Sequence, residues 1–290
     1  MNKFIKIALC LIVVISVLFF VVWQSDNNTL RIYFFDIGQG DGMLIRTPSG
    51  QNIVIDGGPD NGFIAKLGQA LPFYNQTIDL LILTHPHDDH LLGLVEVTKR
   101  YQVKQILYSG ALHSTNAYLD WLNIIKEKKI PLKIAQAGQQ FFFNDLELKV
   151  IYPFINFTNQ KVENLNQTSV VVQLIYHKTK VLFMADLEKE GEREIVDKYQ
   201  LNSRLADLKS DVIKIGHHGS GYSSTLAFLK QISPKYAIIL VGQGNKFNHP
   251  ASSTLAKLTI LGVKIFRTDL NGDIIFKSNG RQALFTTSRP

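Results

Sequence analysis

The most constraining feature of the sequence is a cluster of ionisable residues between two apolar runs. The stretch DLLILTHPHDDHLLGL occupies residues 79–94, and residues 85–90 within it contain three histidines and two aspartates. The run before the cluster, 80–84, is typical of a strand buried on both faces, and the run after it, 91–101, is typical of a helix. Because binding sites in α/β sheets lie beyond the carboxyl ends of the strands, we expect the cluster at an open sheet edge.

The cluster has the composition of a metal site. His85 and His87 alternate on an extended segment and can point the same way, whereas Asp89 and His90 begin the helix and turn elsewhere. Imidazoles and carboxylates are ligands of Zn²⁺ and similar ions, so two such pairs suggest two adjacent ions. The alternative, a polar loop in which an aspartate caps the helix, explains one aspartate and none of the histidines.

Further ligand types follow two later strand-like runs. Asp186 comes after VLFMA, and His217 and His218 come after DVIKIG. Each lies after a predicted strand and before a predicted helix, as the first cluster does. Three strand ends are therefore expected to converge on one edge, where a carboxylate can bridge two cations.

Strand-like and helix-like runs alternate along the rest of the chain, which predicts an α/β fold. The order is strands and then strand–helix units, twice, so two halves could stack their sheets face to face with helices outside, giving a four-layer αβ/βα sandwich. The predicted strands are 30–36, 43–47, 52–56, 80–84, 104–108, 146–151, 169–176, 181–184, 212–215, 236–241, 263–267 and 273–276, and the predicted helices are 65–71, 91–101, 116–128, 189–199, 223–231 and 252–261.

The N-terminus is a candidate membrane segment. After Lys3 and Lys6, residues 7–23 carry no charge, a length at the short limit for a transmembrane helix. The positive flank predicts a cytoplasmic N-terminus. We expect an uncleaved single-pass anchor over 1–24 and an extracytoplasmic hydrolase domain over 29–288. The alternative is secretion after signal cleavage, although no small-x-small cleavage site follows the apolar run.

Charge and cysteine content narrow the chemistry. The 31 Lys and Arg residues exceed the 24 Asp and Glu residues, a mild bias toward anionic partners that selects none of them. The single cysteine, Cys10, lies in the N-terminal apolar run, so the exported part can form neither a disulfide of its own nor a thiolate site. A metal must therefore be held by His, Asp or Glu. The sequence contains no basic stripe interleaved with aromatic residues of the kind that grips single strands.

Several motifs together carry a family resemblance. THPHDDHLLGL resembles the H-x-H-x-D-H signature of the metallo-β-lactamase superfamily, and FFDIGQGDGMLI, NIVIDGG, MADLE and VIKIGHHGS resemble the branch containing the hydrolase domain of ComEC-type DNA-uptake proteins. The resemblance implies the αβ/βα sandwich and one or two divalent ions, with Zn²⁺ favoured and Mn²⁺ as the alternative. It implies a phosphodiester substrate, with DNA as the candidate. The implied ligands are His85, His87, Asp89, His90, Asp186 and one of the histidine doublet, for which His218 is preferred, leaving His217 to face the substrate.

One departure from the superfamily pattern concerns the number of ions. Many members have a further histidine between the first cluster and the bridging aspartate, whereas residues 164–174, NLNQTSVVVQL, contain none. Asn166 or Ser169 is expected to line the pocket instead. The ion at His85 and His87 is then weakly held or absent, and a mononuclear enzyme stays open.

Other residues receive predicted roles. A divalent ion lowers the pKa of a bound water, so that hydroxide is available to attack at ordinary pH, and Asp89 would help to orient it. Lys214 would neutralise a phosphate oxygen, unless it is a solvated strand lysine, and His249 would protonate the leaving group, unless it is an ordinary loop residue. Asp56 would hold the ligand loop rather than bind metal, and Asp41 is either a hairpin or a pocket residue.

The sequence thus predicts a membrane-anchored, extracytoplasmic, metal-dependent phosphodiesterase or nuclease. The alternative is a hydrolase of another ester, a thioester or a β-lactam on the same metal site. A noncatalytic binding module is disfavoured, because all six ligand positions are retained.

Overall fold

The computed structural model describes residues 3, 5, 7, 10–17, 29–72, 74–201 and 207–290. Strands account for much of the described chain. They are β1 (Leu30–Phe34), β2 (Gly42–Arg46), β3 (Asn52–Gly57), β4 (Thr77–Ile78), β5 (Leu80–Leu83), β6 (Gln102–Val103), β7 (Ile106–Tyr108), β8 (Leu132–Ile134), β9 (Gln140–Phe143), β10 (Leu146–Tyr152), β11 (Val171–Tyr176), β12 (Thr179–Phe183), β13 (Val212–Lys214), β14 (Tyr236–Ile239), β15 (Lys264–Arg267), β16 (Ile274–Ser278) and β17 (Ala283–Thr287).

Two large sheets form the centre of the molecule. The first has the strand order β17-β16-β1-β2-β3-β5-β7-β8, and the second has the order β15-β14-β13-β12-β11-β10-β9. The helices that accompany them in the described residues are α1 (Gly62–Ala70), α2 (Asp88–Arg100), α3 (Asn116–Glu127), α4 (Lys189–Leu201), α5 (Leu226–Ile232), α6 (Ser252–Ile260) and the short α7 (Thr268–Asn271).

The central core lies between the two sheets. Leu30, Ile32 and Phe34 alternate along β1 and face this core, together with residues such as Val172 and Val212 of the second sheet. Alternation of this kind lets one face of a strand pack inward while the other meets the next layer.

Helices cover the outer faces of both sheets. Phe63 of α1, Leu94 of α2 and Trp121 of α3 pack on the first sheet. Ile195 of α4 and Phe228 of α5 pack on the second. The order of layers is therefore helix, sheet, sheet, helix, which confirms the predicted four-layer αβ/βα sandwich.

Strand direction places the loops that matter for function. In the first sheet β3, β5, β7 and β8 are parallel neighbours. In the second sheet β12, β13, β14 and β15 are parallel neighbours as well. All carboxyl ends within each parallel set lie at one edge, so the loops after β3 and β5 can face those after β12, β13 and β14 across the sandwich.

The predicted strands and helices are present in the structure with different first and last residues, and several observed strands were not predicted. Each predicted strand and helix overlaps an observed one, whereas β4, β6, β8, β9 and β17 had no counterpart. β8 and β17 are edge strands of the first sheet, and β9 is an edge strand of the second. The sequence of β9, QFFF, shows why such strands are missed: Phe142 is apolar although it is 68% exposed, so the run has no apolar–polar alternation.

The predicted membrane segment, 7–23, is described only at residue 7 and residues 10–17, and its other residues lie outside the described part of the chain. Within the described residues, no helix combines the length and apolar character that crossing a bilayer requires.

Candidate metal centre

Three distant segments of the chain meet at the shared edge of the two sheets. His85 and His87 follow β5, and His90 lies in the first turn of α2. Asp186 follows β12, and the histidine doublet lies in a short turn, Gly216–Gly219, that comes shortly after β13. The side chains of His90, Asp186 and His218 are within a few ångströms of one another and are almost fully buried.

The backbone holds this edge in a constrained shape. Asp56, Ala185, His217 and His218 all have positive φ angles, between 49° and 55°. Such angles are uncommon for residues other than glycine, and they persist where the surroundings dictate them. The turn at the histidine doublet is tied to the Asp186 loop, since the His217 backbone N–H donates to the Ala185 carbonyl at 3.0 Å.

His90 and His218 are each tethered through Nδ1. The Nδ1 of His90 lies 2.8 Å from Oδ2 of Asp56, and the Nδ1 of His218 lies 2.8 Å from the Leu240 carbonyl oxygen. Because a carboxylate and a carbonyl only accept hydrogen bonds, each Nδ1 carries the proton and each Nε2 is left with its lone pair when the ring is neutral.

The free nitrogens converge on one carboxylate oxygen. Nε2 of His90 and Nε2 of His218 each lie 3.4 Å from Oδ2 of Asp186, and Nε2 of His218 lies 3.4 Å from Oδ2 of Asp89. Both nitrogens are buried without a hydrogen-bond partner. Ligands about 2.0–2.2 Å from a tetrahedral Zn²⁺ would be about 3.4 Å apart. Asp89, His90 and His218 offer ligand atoms at such a spacing, and Asp186 Oδ2 lies at the same distance from both imidazoles, so these four residues fit a divalent ion. The two unpartnered nitrogens have the arrangement that such an ion needs.

A second group of possible ligands includes His85. His85 Nδ1 lies 3.1 Å from the Thr84 hydroxyl, and His85 Nε2 lies 3.0 Å from His87 Nδ1. His85 groups with His90 and Asp186 at ligand-like spacing, but within the described residues His87 belongs to no such group of three. The second position thus has His85, His90 and Asp186 as its possible donors, and His87 adds no ligand atom to it.

Charge in the centre is dominated by carboxylates. Burial would by itself lower the pKa of both His90 and His218, but Asp186 and the neighbouring carboxylates raise the pKa of both above the ordinary histidine value. Burial would likewise raise the pKa of Asp186, yet His218 and His90 hold it well below its usual range. The excess of negative charge is the electrostatic counterpart of a cation site.

His85 behaves differently from these two histidines. Burial lowers its pKa well below the ordinary value, and nearby His90 lowers it further. Burial also lowers the pKa of His87, with His90 again adding to the shift. Both rings therefore favour the neutral form, which is the form that binds metal.

Lys214 is placed differently from its predicted role. Its side chain is fully buried, its ammonium pairs with the carboxylate of Asp41, and it also donates to the Ala185 carbonyl at 3.0 Å. Protein oxygens enclose the ammonium, so the geometry favours a buried counter-ion over the predicted contact with a phosphate oxygen. Its Nζ lies 3.9 Å from Oδ1 of Asp186, which makes Lys214 an internal counter-ion of the centre.

Asp41 is the residue whose importance the sequence left open. It is fully buried, and its Oδ1 lies 3.4 Å from Nδ1 of His218. The available signal was the GQGDG motif, because closely spaced glycines indicate a close approach of the backbone to another segment. In the structure Gly40 packs directly on the α2 backbone, and a Cβ added to it would lie 2.3 Å from the Asp89 carbonyl oxygen. The pocket reading of Asp41 is therefore favoured over the hairpin reading.

Asp56 lies where the prediction puts it. Its Oδ1 accepts the Thr84 backbone N–H at 2.8 Å, and its Oδ2 accepts the Thr84 hydroxyl at 2.7 Å together with His90 Nδ1. Burial raises its pKa, against the lowering effect of His90. It thus ties the loop after β5 to the first turn of α2.

His217 and His249 lie at the open side of the centre. His217 Nε2 lies 3.9 Å from Asp186 Oδ2, and its Nδ1 lies 3.3 Å from Oε1 of Glu188. The rings of His217 and His249 are 5.6 Å apart. The partial exposure of His217, beside the buried His218, favours the predicted division in which His218 binds metal and His217 faces the substrate.

The glutamate beside His217 was not singled out from the sequence. Glu188 accepts hydrogen bonds from Asn164 at 2.8 Å and from Asn166 at 3.2 Å. Asn166 therefore lies near the pocket as expected, whereas Ser169 is fully buried and receives the Asp186 backbone N–H at 3.3 Å. The MADLE motif offered a signal, because Glu188 is two residues beyond the predicted bridging aspartate.

Known proteins match both the sequence and the fold. A family profile described as the metallo-beta-lactamase superfamily matches residues 36–243. ComE operon protein 3 of Bacillus subtilis (strain 168) is 27% identical in an alignment of 286 positions that covers 93% of this chain and 36% of that protein. Competence protein ComA of Neisseria gonorrhoeae is 28% identical in an alignment of 259 positions that covers 86% of this chain and 32% of that protein. The chain spans about a third of the length of these relatives.

Among solved structures, the metallo-beta-lactamase fold protein YhfI from Bacillus subtilis superimposes with a TM-score of 0.56 at 10% sequence identity. The match covers 86% of this chain and 100% of that one. At this level of identity the match supports the fold alone.

Proposed function

The chain belongs to the metallo-β-lactamase superfamily of metal-dependent hydrolases, and we propose that it is a phosphodiesterase that cleaves nucleic acid outside the cytoplasmic membrane. The match to competence protein ComA, together with the ComEC-like motifs, directs the proposal toward DNA. Because the chain spans about a third of those relatives, a role in DNA uptake would require further protein segments or partners.

One observation carries the proposal. Two buried imidazole nitrogens without partners, in His90 and His218, converge on Asp186 at 3.4 Å. A divalent ion held there, with Asp89 as a further ligand, would supply Lewis acidity and lower the pKa of a bound water toward neutrality. Zn²⁺ suits this mixture of imidazole and carboxylate ligands, and Mn²⁺ is the alternative.

The residues of the chain have separate tasks in this proposal. Asp56 and the Leu240 carbonyl hold the two imidazoles in the orientation that leaves Nε2 free. Lys214 offsets part of the carboxylate charge from behind the centre. His217 and His249 lie on the open side, where they can donate hydrogen bonds to the phosphoryl group and to the leaving oxygen.

Attachment to the membrane is part of the same proposal. The described part of the N-terminal apolar run, 10–17, is helical, and Leu11, Ile12 and Ile15 expose more than half of their side chains. Exposed aliphatic residues on a short helix preceded by Lys3 and Lys6 suit a lipid environment with the lysines on the cytoplasmic side. An anchor of this kind would leave the hydrolase domain extracytoplasmic.

The proposal is tested with the full-length chain purified in detergent. Metal content would be measured, and hydrolysis assayed on bis-p-nitrophenyl phosphate, single- and double-stranded DNA and a chromogenic β-lactam. We expect cleavage of the phosphodiesters, its loss in His90→Ala and Asp186→Ala, and its retention in His177→Ala, which alters an exposed histidine in the turn between β11 and β12. Cleavage of the β-lactam alone, or equal phosphodiesterase activity in all four proteins, would overturn the proposal.

A further inference from the structure

Two exposed aromatic side chains lie on loops beside the metal centre. Among the described residues, the tyrosines and phenylalanines with strongly exposed side chains are Tyr74, Phe142, Tyr222 and Phe247. Tyr222, 67% exposed, follows the histidine doublet in the loop after β13, and Phe247, 53% exposed, lies in the loop after β14. An aromatic ring facing water loses the stabilisation that burial would give it, so two such rings beside one site call for a functional reason.

A lysine accompanies each of these rings. The Lys189 ammonium lies 5.7 Å from the centre of the Tyr222 ring, and the Lys246 ammonium lies 5.2 Å from that of Phe247. We call these four residues, Lys189, Tyr222, Lys246 and Phe247, the aromatic rim. Lys189 is the first residue of α4, directly after the Asp186 loop, and its backbone N–H donates to the Tyr222 carbonyl at 2.9 Å. This hydrogen bond joins the end of the Asp186 loop to the loop after β13 at the rim.

The aromatic rim is continuous with the centre. The Phe247 ring stacks beside His249 at 5.9 Å, and His249 lies 5.6 Å from His217, whose Nε2 is 3.9 Å from Asp186. The loops that carry the two aromatic residues also pack on each other, since the Ala251 backbone N–H donates to the Gly219 carbonyl at 2.9 Å. A polymer with its scissile bond at Asp186 can therefore extend past His217 and His249 to Phe247, and the loop that carries Tyr222 packs against the loop of Phe247.

We propose that the aromatic rim binds single-stranded nucleic acid: unpaired bases stack on Tyr222 and Phe247, while Lys189 and Lys246 neutralise the adjoining phosphates. The inference rests on the proposed phosphodiesterase function and specifies its substrate. Alternating rings and cations suit this ligand because every base has a face that can stack, and every phosphate carries a charge. In a duplex the base faces are already covered by neighbouring bases, so the rings would have nothing to hold.

The ammonium groups of Lys189 and Lys246 are accessible to the phosphates of a bound strand. Lys189 is exposed and forms an ion pair with exposed Glu190 at 3.8 Å, an interaction that contributes little at a water-facing site. Lys246 is exposed as well. The ammonium groups can therefore swing from the ring faces to the phosphates when bases take their places.

Binding is measured on the full-length, metal-loaded protein in detergent. The probe is a fluorescein-labelled oligothymidylate with phosphorothioate linkages, which resists cleavage, and fluorescence anisotropy reports the Kd. Tyr222→Ala and Phe247→Ala should each weaken binding about 5- to 160-fold. Lys189→Ala and Lys246→Ala should each reduce the slope of log affinity against log salt by about 0.7. Phe142→Ala, which removes an equally exposed ring on β9, should bind as the wild type does.

The outcomes separate this inference from the proposed function. If Tyr222→Ala and Phe247→Ala bind the probe as tightly as Phe142→Ala, or if a duplex of the same length binds more tightly than the single strand, the aromatic rim is not the binding surface, whatever the chain hydrolyses. If the variants weaken binding as expected while the wild type cleaves no phosphodiester, the aromatic rim stands and the proposed catalytic activity fails.

Discussion

The protonation pattern of His90 depends on Asp56. The carboxylate of Asp56 accepts from His90 Nδ1 on one oxygen and from the Thr84 backbone N–H on the other. A carboxylate has no proton to give, so it fixes the tautomer that leaves Nε2 as a metal ligand. Asp56 would not touch the metal, yet its carboxylate thus decides whether His90 can bind the metal through Nε2.

We predict that Asp56→Asn weakens metal binding about 10- to 100-fold, a typical effect of altering a residue that orients a ligand. If the amide oxygen keeps the Thr84 N–H, the amide nitrogen faces His90 Nδ1, which must then accept, and the ring proton moves to Nε2. Competition against a chromophoric chelator measures the affinity. Asp207→Asn, which alters an exposed carboxylate paired with Lys180, should leave it unchanged, and equal affinities in both variants would contradict the role of Asp56.

The sequence predicts which types of residue form the metal centre, but it does not predict which side chains contact each other there. The histidines and aspartates of 85–90 indicate a metal site, because they are ligand types and follow a predicted buried strand. The burial of Lys214 against Asp41 joins residues 173 positions apart, and only the stacking of the two sheets brings them together. A lysine on a strand looks the same in sequence whether it faces solvent or a buried carboxylate.

At the level of elements, helix α2 packs closely on strand β3 because glycines lie at the point of contact. A Cβ added to Gly93 would lie 1.9 Å from the Gly57 carbonyl oxygen, and one added to Gly57 would lie 2.5 Å from the Leu94 backbone nitrogen. This close approach presses the first turn of α2, which carries Asp89 and His90, against the sheet edge. The distance between helix and strand therefore sets the position of two predicted ligands.

We predict that Gly93→Ala lowers the free energy of unfolding by about 1–3 kcal/mol, because the new methyl group forces α2 away from β3. Gly68→Ala, in the exposed face of α1, meets nothing closer than the Tyr101 hydroxyl at 4.0 Å. It should raise the free energy of unfolding by roughly 0.5–1 kcal/mol through the lower flexibility of alanine in the unfolded chain. Urea unfolding measures both, and a Gly93→Ala variant as stable as wild type would contradict the packing.

A buried glutamate joins α4 to α5. The Glu192 carboxylate accepts the backbone N–H groups of Ser224 and Thr225, which precede α5. Burial raises the pKa of Glu192 above its ordinary value of 4.5, although these hydrogen bonds oppose the rise. The folded state therefore keeps the proton at pH values where the unfolded chain has lost it, so the stabilisation from this group is present at low pH and is lost as pH rises.

We predict a pH-dependent difference between wild type and Glu192→Gln. The free energy of unfolding of wild type minus that of the variant should fall as pH rises from 4.5 through the raised pKa of Glu192, with a slope of at most about 1.36 kcal/mol per pH unit. Urea unfolding across this window gives the difference. Parallel curves for the two proteins would show that Glu192 titrates alike in both states.

At the scale of the whole molecule, the sandwich could be predicted, but its surfaces could not. The alternation of strand-like and helix-like runs contains the layer order, because buried strands and amphipathic helices each leave a periodic pattern. The aromatic rim leaves no periodic pattern in the sequence. Lys246 and Phe247 are adjacent in the sequence, but Lys189 and Tyr222 are distant from each other and from that pair, and neighbouring parallel strands bring their loops to one edge.

The orientation of the whole chain is a prediction in its own right. If the N-terminal apolar run anchors the chain with its lysines in the cytoplasm, a C-terminal fluorescent protein that matures only in the cytoplasm should stay dark, and a C-terminal alkaline phosphatase should be active. The reverse pattern of the two fusions would place the hydrolase domain in the cytoplasm and contradict the proposed location.

The convergence of His90, Asp186 and His218 on one divalent ion is tested most directly by metal content. Elemental mass spectrometry of the full-length protein should find at least one divalent transition-metal ion per chain in wild type and in His177→Ala, and a loss of most of that metal in Asp186→Ala and His218→Ala. Metal content that is the same in all four proteins, or a wild type that binds none when it is supplied, would contradict the proposed metal centre.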